Sequence, residues 1–175
     1  CGAYNGDTIR NLISKYGKIR KLLCLEPDQN NFKDLNNYLT QNKELIAEEI
    51  IAMPCGVFSD EQQLSFSSGE TLCSSVFNSG TSTIQCVALD HIAPNFNPSY
   101  ITMDIEGAEI EGIIGAQNLI NNFKPDLAIS VYHFPNHIWE IPQIINNLKL
   151  DYKLYLRNYS GFTYETILYA TVANQ

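Results

Sequence analysis

Residues 101–109 read Ile-Thr-Met-Asp-Ile-Glu-Gly-Ala-Glu. A short apolar run ends in two acids spaced i and i+2, and a glycine and a run with helical periodicity follow. A buried parallel strand ends in this way when it carries carboxylates to the carboxyl edge of an α/β sheet, where open sheets bind ligands. The stretch therefore predicts a strand over residues 100–105 and a helix over residues 108–121, with Asp104 and Glu106 at the sheet edge.

Strands and helices alternate along the rest of the chain. Apolar residues recur at helical spacing over residues 7–16, 32–39, 108–121 and 138–150, the last segment being interrupted or restarted near Pro142. Strand-like runs cover residues 19–25, 49–59, 84–89, 100–105 and 127–132, and a closing antiparallel pair covers residues 152–157 and 166–172. Residues 60–83 are rich in Ser, Gly, Thr and Asn, which predicts a short hairpin and a mobile loop. The alternation predicts an α/β fold with a mostly parallel, doubly wound sheet in one domain, residues 1–175.

The first eight residues, Cys-Gly-Ala-Tyr-Asn-Gly-Asp-Thr, predict a glycine-bearing turn that leads into a helix. A turn of this kind normally follows a buried strand, and no residues precede it here. In a doubly wound sheet that strand would be the central one. We therefore expect a truncated domain that lacks its N-terminal strand, with a gap in the sheet or reduced stability.

The same turn and the next strand suggest a cofactor site of the adenosine type. Gly2 and Gly6 could let the backbone approach a ligand at the start of a helix, although a tight strand-to-helix turn explains them equally well. Glu26 lies twenty positions after Gly6 at a strand end, where an acid can accept hydrogen bonds from a ribose diol. Alternatively, Glu26 caps the helix that follows Pro27. Cys55 and Gly56 end a further strand, where a small residue would admit an adenine ring or pack strand against helix.

Three side chains are candidates for the reaction itself. Asp104 and Glu106, at i and i+2 on an extended segment, would share one face and could orient or deprotonate an acceptor hydroxyl, unless they only cap the following helix. His133 ends the next strand and, being neutral near pH 7, could act as a general base. The three could instead bind a divalent cation. Glu109 is expected to complement the helix dipole, and His91 and His137 have no expected role.

Charge and cysteine content limit the surroundings and the partners. The net charge is −8 and the pI is about 4.7, which argues against a nucleic-acid partner and suits a cationic ligand. Five scattered cysteines without a zinc-like spacing predict a reducing compartment. With neither a signal peptide nor an apolar run of about 18 residues, we expect a soluble, cytoplasmic protein with no membrane partner.

Five blocks of the sequence together resemble the FkbM family of S-adenosylmethionine-dependent methyltransferases, and the resemblance spans essentially the whole chain. The blocks are residues 1–8, Leu-Glu-Pro-Asp at 25–28, Cys-Gly-Val-Phe-Ser-Asp at 55–60, Asp-Ile-Glu-Gly-Ala-Glu at 104–109 and Lys-Pro-Asp-Leu-Ala-Ile-Ser-Val-Tyr-His at 124–133. The resemblance implies a Rossmann-like class I methyltransferase fold whose last strand is antiparallel. Two features depart from the family pattern: the acid that usually precedes Cys1 is absent, and Thr102 stands where the family often has a lysine.

The resemblance also implies a division of the site residues. The methionine part, ribose and adenine of S-adenosyl-L-methionine would be bound by Gly2, Ala3, Tyr4, Gly6, Asp7, Thr8, Glu26, Pro27, Cys55 and Gly56. Asp104, Glu106 and His133, with the loop around Ser74 and Ser75, would face the acceptor. No resident metal is expected.

The function expected from this resemblance is O-methylation of a hydroxyl on a sugar, glycan or secondary metabolite, with His133 or Asp104 as the base. Two alternatives are a non-catalytic Rossmann-like binding module and, less in keeping with the glycine spacing, a nicotinamide-dependent oxidoreductase. A homodimer that shields the exposed sheet is a further expectation.

Overall fold

The structure is a computed structural model that describes residues 1–66, 82–161 and 164–172. Its helices are α1 (Asp7–Tyr16), α2 (Gln29–Ile46), α3 (Leu89–Ile92), α4 (Glu109–Ile114), α5 (Gln117–Phe123) and α6 (His137–Asn147). Its strands are β1 (Ile19–Leu25), β2 (Ala47–Met53), β3 (Gly56–Val57), β4 (Gln62–Phe66), β5 (Ser82–Val87), β6 (Tyr100–Met103), β7 (Asp126–Ser130), β8 (Tyr152–Asn158) and β9 (Thr166–Val172).

The strands form three groups. β1 pairs in parallel with β2, and β6 pairs in parallel with β7. β9 lies between β7 and β8 and is antiparallel to both, so the order in this group is β6-β7-β9-β8. β4 and β5 pair antiparallel, and β3 pairs in parallel with the other edge of β5, while most of the segment predicted to hold a short hairpin and a mobile loop, residues 60–83, lies outside the described residues. The predicted α/β class and its antiparallel last strand, β9, are confirmed, and among the described strands three pairings are parallel and three are antiparallel.

Residues 1–3 join two of these groups. The N–H groups of Gly2 and Ala3 donate to the Leu25 carbonyl at the end of β1, at 3.0 and 3.1 Å. On the opposite side, the N–H of Asp104 donates to the Cys1 carbonyl at 3.2 Å, and the Cys1 nitrogen donates to the Thr102 carbonyl at 2.9 Å. Over the described residues, β1 and β6 do not pair with each other. Residues 1–3 therefore lie between the carboxyl ends of β1 and β6.

The buried side chains form two cores. In the larger core, side chains of β6 and β7 such as Met103 and Ile129 pack with Ile141 and Ile145 of α6, which lie one helical turn apart. The smaller core places α1 and α2 against β1, with Ile9, Cys24, Leu35, Leu39 and Ile46 buried.

Several predicted boundaries differ from the observed ones. The strand predicted over 49–59 is divided into β2 and β3 because Pro54 has no N–H for the ladder. The helix predicted over 108–121 is divided into α4 and α5 at Gly115, whose Cβ, if present, would overlap the Phe58 carbonyl. By contrast, Pro142 lies inside a continuous α6, where its buried neighbour Ile141 anchors the helix to the core, so the predicted interruption there is wrong.

Candidate functional site

A cavity of about 460 Å³ opens at the carboxyl ends of β1 and β6. All the predicted cofactor residues except Gly6 line it, namely Gly2, Ala3, Tyr4, Asp7, Thr8, Glu26, Pro27, Cys55 and Gly56. Asp104 and Glu106 also line it, whereas His133 does not. The cavity continues down between β1 and β6, where Leu22, Leu23, Cys24 and Thr102 form its walls. It therefore has a polar mouth at the sheet edge and an apolar floor in the gap between the two strands.

Glu26 holds the first turn against β1. Its side chain is 5% exposed, its Oε2 accepts a hydrogen bond from the Tyr4 N–H at 2.7 Å, and its Oε1 accepts one from the Asp28 N–H at 2.9 Å. The cap of α2 is a different residue, since Asp28 Oδ1 accepts from the N–H groups of Asn30 and Asn31. Glu26 therefore does not cap that helix, and each of its oxygens keeps accepting capacity toward the cavity.

Packing inside the protein explains the three glycines that were predicted to admit a ligand. Gly2 has φ +72°, and a Cβ there would overlap the Asp104 carbonyl. Gly6 has φ +89°, and a Cβ there would lie 3.0 Å from the Tyr38 ring. At Gly56 a Cβ would lie 2.9 Å from Sγ of Cys86, which is on the neighbouring strand β5 rather than on a helix. These glycines let the turn and strands approach one another closely, and so they shape the cavity from behind.

The acidic segment after β6 is a tight turn. Glu106 has φ +57° and Gly107 has φ +100°, both in the left-handed region. The prediction that Asp104 and Glu106 share a face of an extended segment is therefore wrong in its geometry. Even so, the turn directs both carboxylates toward His133, whose Nε2 lies 3.4 Å from Asp104 Oδ1 and 3.6 Å from Glu106 Oε2.

His133 is held from its other side by Glu109. The His133 side chain is 5% exposed, and its Nδ1 lies 3.0 Å from Oε1 of Glu109. The neighbouring Tyr132 hydroxyl donates to Asp104 Oδ1 at 3.1 Å, and the rings of Tyr132 and His133 lie 4.2 Å apart. His133 therefore sits behind the cavity and reaches it through Asp104 and Glu106.

Glu109 and His137 are functional candidates that sequence reasoning missed. Glu109 lies in the first turn of α4, as expected for a residue that complements the helix dipole, but it is also fully buried and accepts a hydrogen bond from the Ile105 N–H at 2.9 Å. Its Oε2 lies 3.2 Å from Nδ1 of His137, a residue to which no role was assigned. The available signal was the pair of histidines spaced i and i+4 after a strand, downstream of an acidic motif.

The charges in this group shift one another's protonation. Burial alone would raise the pKa of Glu109, but contacts with His133 and His137 outweigh it and lower that pKa to about 2. Burial acts to lower the pKa of His133, but Glu109, Asp104 and Glu106 together raise it. These three carboxylates therefore stabilise the charged form of His133 relative to that of an ordinary histidine. Burial also raises the pKa of Glu106.

Within the described residues, two groups could offer a metal ligand atom from each of three side chains, all within 4.8 Å of one another. One is Asp104, Glu109 and His133; the other is the exposed group of Asp60, Glu61 and His91. In the first group, both oxygens of Glu109 already face histidine nitrogens. In the second, His91 already pairs with Glu61 at 2.9 Å. In both groups the potential ligand atoms already contact other side chains, and neither group is the set of Asp104, Glu106 and His133 that was considered as an alternative cation site.

Two further predictions concern the loop that faces the acceptor and the absence of a membrane span. Ser74 and Ser75, expected to face the acceptor, lie outside the described residues. Among the helices of the described segments, none is long and apolar enough to cross a membrane.

Comparisons with known proteins agree with this architecture. A family model described as "Methyltransferase FkbM domain" matches residues 1–159. The crystal structure of methyltransferase FkbM from Methylobacillus flagellatus KT superimposes with a TM-score of 0.82 at 29% sequence identity. That match covers 97% of this chain but 42% of the other, so this chain spans less than half of the matched protein. No curated protein sequence matches significantly. With a Rossmann-like methyltransferase fold and a family match over residues 1–159, the chain belongs to the FkbM methyltransferase family.

Proposed function

We propose that this chain transfers a methyl group from S-adenosyl-L-methionine to a hydroxyl oxygen on a sugar, a glycan or a secondary metabolite. The observation that carries the proposal is the single cavity that brings the first turn, Glu26 and the acidic turn together at one sheet edge. Parallel α/β sheets bind their ligands at this edge. Family membership supports the methyl-transfer chemistry, while the acceptor class comes from the resemblance of the sequence.

The residues present fit this cofactor. Glu26 is a buried carboxylate with accepting capacity toward the cavity, as binding of a ribose diol requires. Pro27, Cys55 and Gly56 offer a small, largely apolar wall for a purine. The carboxylates of Asp104 and Glu106 lie at the mouth, where negative charge would stabilise a positively charged sulfur. When bound, the cofactor would supply a methyl carbon activated by that sulfonium.

The chain's own task is then to orient the acceptor and remove its proton. As the new C–O bond forms and the C–S bond breaks, the hydroxyl must lose its proton to a base. Asp104 suits this role, since it is half exposed at the cavity mouth while its other contacts come from Tyr132 and His133. His133, whose pKa is raised by Glu109, Asp104 and Glu106 against the effect of burial, would hold the Asp104 carboxylate and, when protonated, stabilise negative charge that develops on the acceptor.

Calorimetric titration with S-adenosyl-L-methionine and S-adenosylhomocysteine tests the cofactor half of this proposal. We expect both to bind with one-to-one stoichiometry and to compete, and we expect NADH not to displace them. Incubation with methyl-labelled cofactor and hydroxylated acceptors would then test transfer to oxygen. Binding of NADH in their place would support the oxidoreductase alternative, and binding of none of the three would support the non-catalytic one.

A further inference from the structure

Four side chains form a continuous path from the core to the cavity mouth. His137 Nδ1 lies 3.2 Å from Glu109 Oε2, and Glu109 Oε1 lies 3.0 Å from His133 Nδ1. Nε2 of His133, on the opposite side of its ring, then lies 3.4 Å from Asp104 Oδ1. Glu109 and His137 are almost completely buried, whereas half of the Asp104 side chain is exposed.

We propose that Glu109 and His137 are positioning residues that fix the ring of His133, with Nδ1 toward Glu109 and Nε2 toward Asp104. This inference rests on the proposed methyl transfer at the same site and deepens it. Glu109 determines which ring nitrogen of His133 faces the cavity, and His137 holds the carboxylate of Glu109 in place. Neither residue would contact the acceptor or the cofactor.

The burial of Glu109 explains why a second histidine is needed. An ionised carboxylate away from water must have partners for both oxygens, and each one left unpartnered costs free energy. Oε1 of Glu109 accepts from the Ile105 N–H at 2.9 Å and also faces His133. Among the described residues, Oε2 has one side-chain neighbour at ion-pair distance, the Nδ1 atom of His137. Removing the imidazole of His137 would leave that oxygen without this neighbour and free the carboxylate to rotate.

Glu109 helps to fix both partners of the His133–Asp104 contact. Glu109 holds the His133 ring directly, and through the Ile105 N–H it also holds the backbone next to Asp104. The Nδ1 atoms of His133 and His137 lie at hydrogen-bond distance from the Glu109 carboxylate, but the angles are not those of an ideal hydrogen bond. A contact that depends on charge and on ring orientation responds strongly to loss of a neighbouring partner.

Other charged groups also face His133 and would contribute to its titration. Glu106 Oε2 lies 3.6 Å from its Nε2, and the Tyr132 hydroxyl reaches the same Asp104 carboxylate. These groups lie on the cavity side of the ring and are unchanged by substitutions at Glu109 or His137. The contribution of the buried side can therefore be measured separately.

A matched pair of variants tests the proposal. H137L removes the nitrogen that faces Glu109, whereas H137N retains an N–H near the same position. NMR of chains labelled with ¹⁵N-histidine should show that the wild-type His133 ring titrates above its ordinary pKa, with hydrogen on Nδ1 in its neutral form. We expect H137L to lower this pKa and to reduce kcat by up to about 100-fold with little change in KM for the cofactor. H137N should restore most of the His133 pKa shift and most of kcat. H91Q, at an exposed position far along the chain, should change neither the His133 pKa nor kcat.

Unchanged His133 titration and unchanged kcat in H137L would overturn the proposal. If H137L fails to fold, the wild-type spectrum decides, because hydrogen on Nε2 or an ordinary pKa for His133 would also overturn it. The NMR measurement needs no turnover. A shifted His133 signal in a chain that transfers no methyl group would therefore count against the proposed function while supporting the positioning role.

Discussion

The Oε2 atom of Glu26 lies 2.7 Å from the backbone nitrogen of Tyr4, and this hydrogen bond ties the first turn of the chain to the end of β1. Tyr4 has φ +46°, a conformation that a non-glycine residue adopts at a cost and keeps only when its surroundings hold it. Glu26 is thus both a support of the cavity wall and a candidate ligand for the cofactor. One carboxylate can do both because each of its oxygens accepts more than one hydrogen bond.

Substitution of Glu26 by glutamine tests both tasks, because it keeps the size of the side chain and removes its charge and part of its accepting capacity. A glutamine side chain can accept from Tyr4 or from Asp28 but would place an NH₂ group against the other N–H. We expect E26Q to lower the free energy of unfolding by about 1–3 kcal/mol and to weaken binding of S-adenosyl-L-methionine. Urea unfolding and calorimetry would measure the two effects. E48Q, an exposed substitution on β2, is the matched control, and an E26Q as stable and as tight-binding as E48Q would contradict the prediction.

Asp104 gives the sharpest test of the reaction chemistry. D104N keeps the shape of the side chain and its position next to His133 and Tyr132, but an amide is not a base. We expect kcat to fall by about 100-fold or more while the thermal unfolding temperature changes little. Initial rates with methyl-labelled cofactor would measure this. D34N, on the exposed face of α2, serves as the control, and wild-type turnover by D104N would exclude Asp104 as the base.

Glu109 and His133 should make the free energy of unfolding depend on pH in opposite directions. The pKa of Glu109 falls from an ordinary 4.5 to about 2, so its ionised form stabilises the fold above about pH 4.5, and this is lost as the pH falls toward 2. The difference corresponds to about 3 kcal/mol. The raised pKa of His133 works oppositely: its contribution is full below its ordinary 6.5 and is lost as the pH rises through its folded value. Urea unfolding across this range should show a maximum between the two limits.

The variant E109Q checks the source of this profile. Without the ionisable group, the loss of stability below about pH 4.5 should become shallower, and the decline at higher pH should weaken because His133 loses its buried partner. An E109Q profile parallel to that of the wild-type chain would assign the pH dependence to other carboxylates.

Sequence periodicity predicted the elements and the sheet class because each strand and helix carries its own apolar pattern. Two boundaries were missed. The one at Pro54 arises because proline has no N–H for the strand ladder, and the one at Gly115 arises because the Phe58 backbone approaches closely. Pro142 was given too much weight because packing of Ile141 and Ile145 outweighs one lost hydrogen bond.

The sequence allowed us to predict that residues at neighbouring strand ends lie close together, but not which residues are buried by tertiary packing. Asp104, Glu106 and His133 converge because consecutive parallel strands, β6 and β7, end at one edge. Glu109 follows the same motif, but its burial depends on how α4 packs against α6, which no local pattern contains. Burial acts to lower the pKa of His133, but contact with the buried Glu109 carboxylate raises it, and no local pattern contains that contact.

Gly107 gives a last prediction, because the shape of the acidic turn depends on it. Its φ is +100°, and a Cβ at this position would overlap the ring of Phe134, which itself packs 5.2 Å from the ring of His137. We expect G107A to destabilise the fold by about 1–3 kcal/mol and to lower kcat, since the turn that directs Asp104 and Glu106 toward His133 would have to open.

Gly161 supplies the control for this substitution. It follows β8, and a Cβ there would meet no atom of the described residues within 4 Å. G161A should therefore leave both the free energy of unfolding and turnover close to wild type, while G107A lowers both. Urea unfolding and initial rates would compare the two variants. Equal behaviour of G107A and G161A would mean that the turn tolerates a side chain, and that the left-handed backbone at Gly107 does not maintain the approach of the two carboxylates to His133.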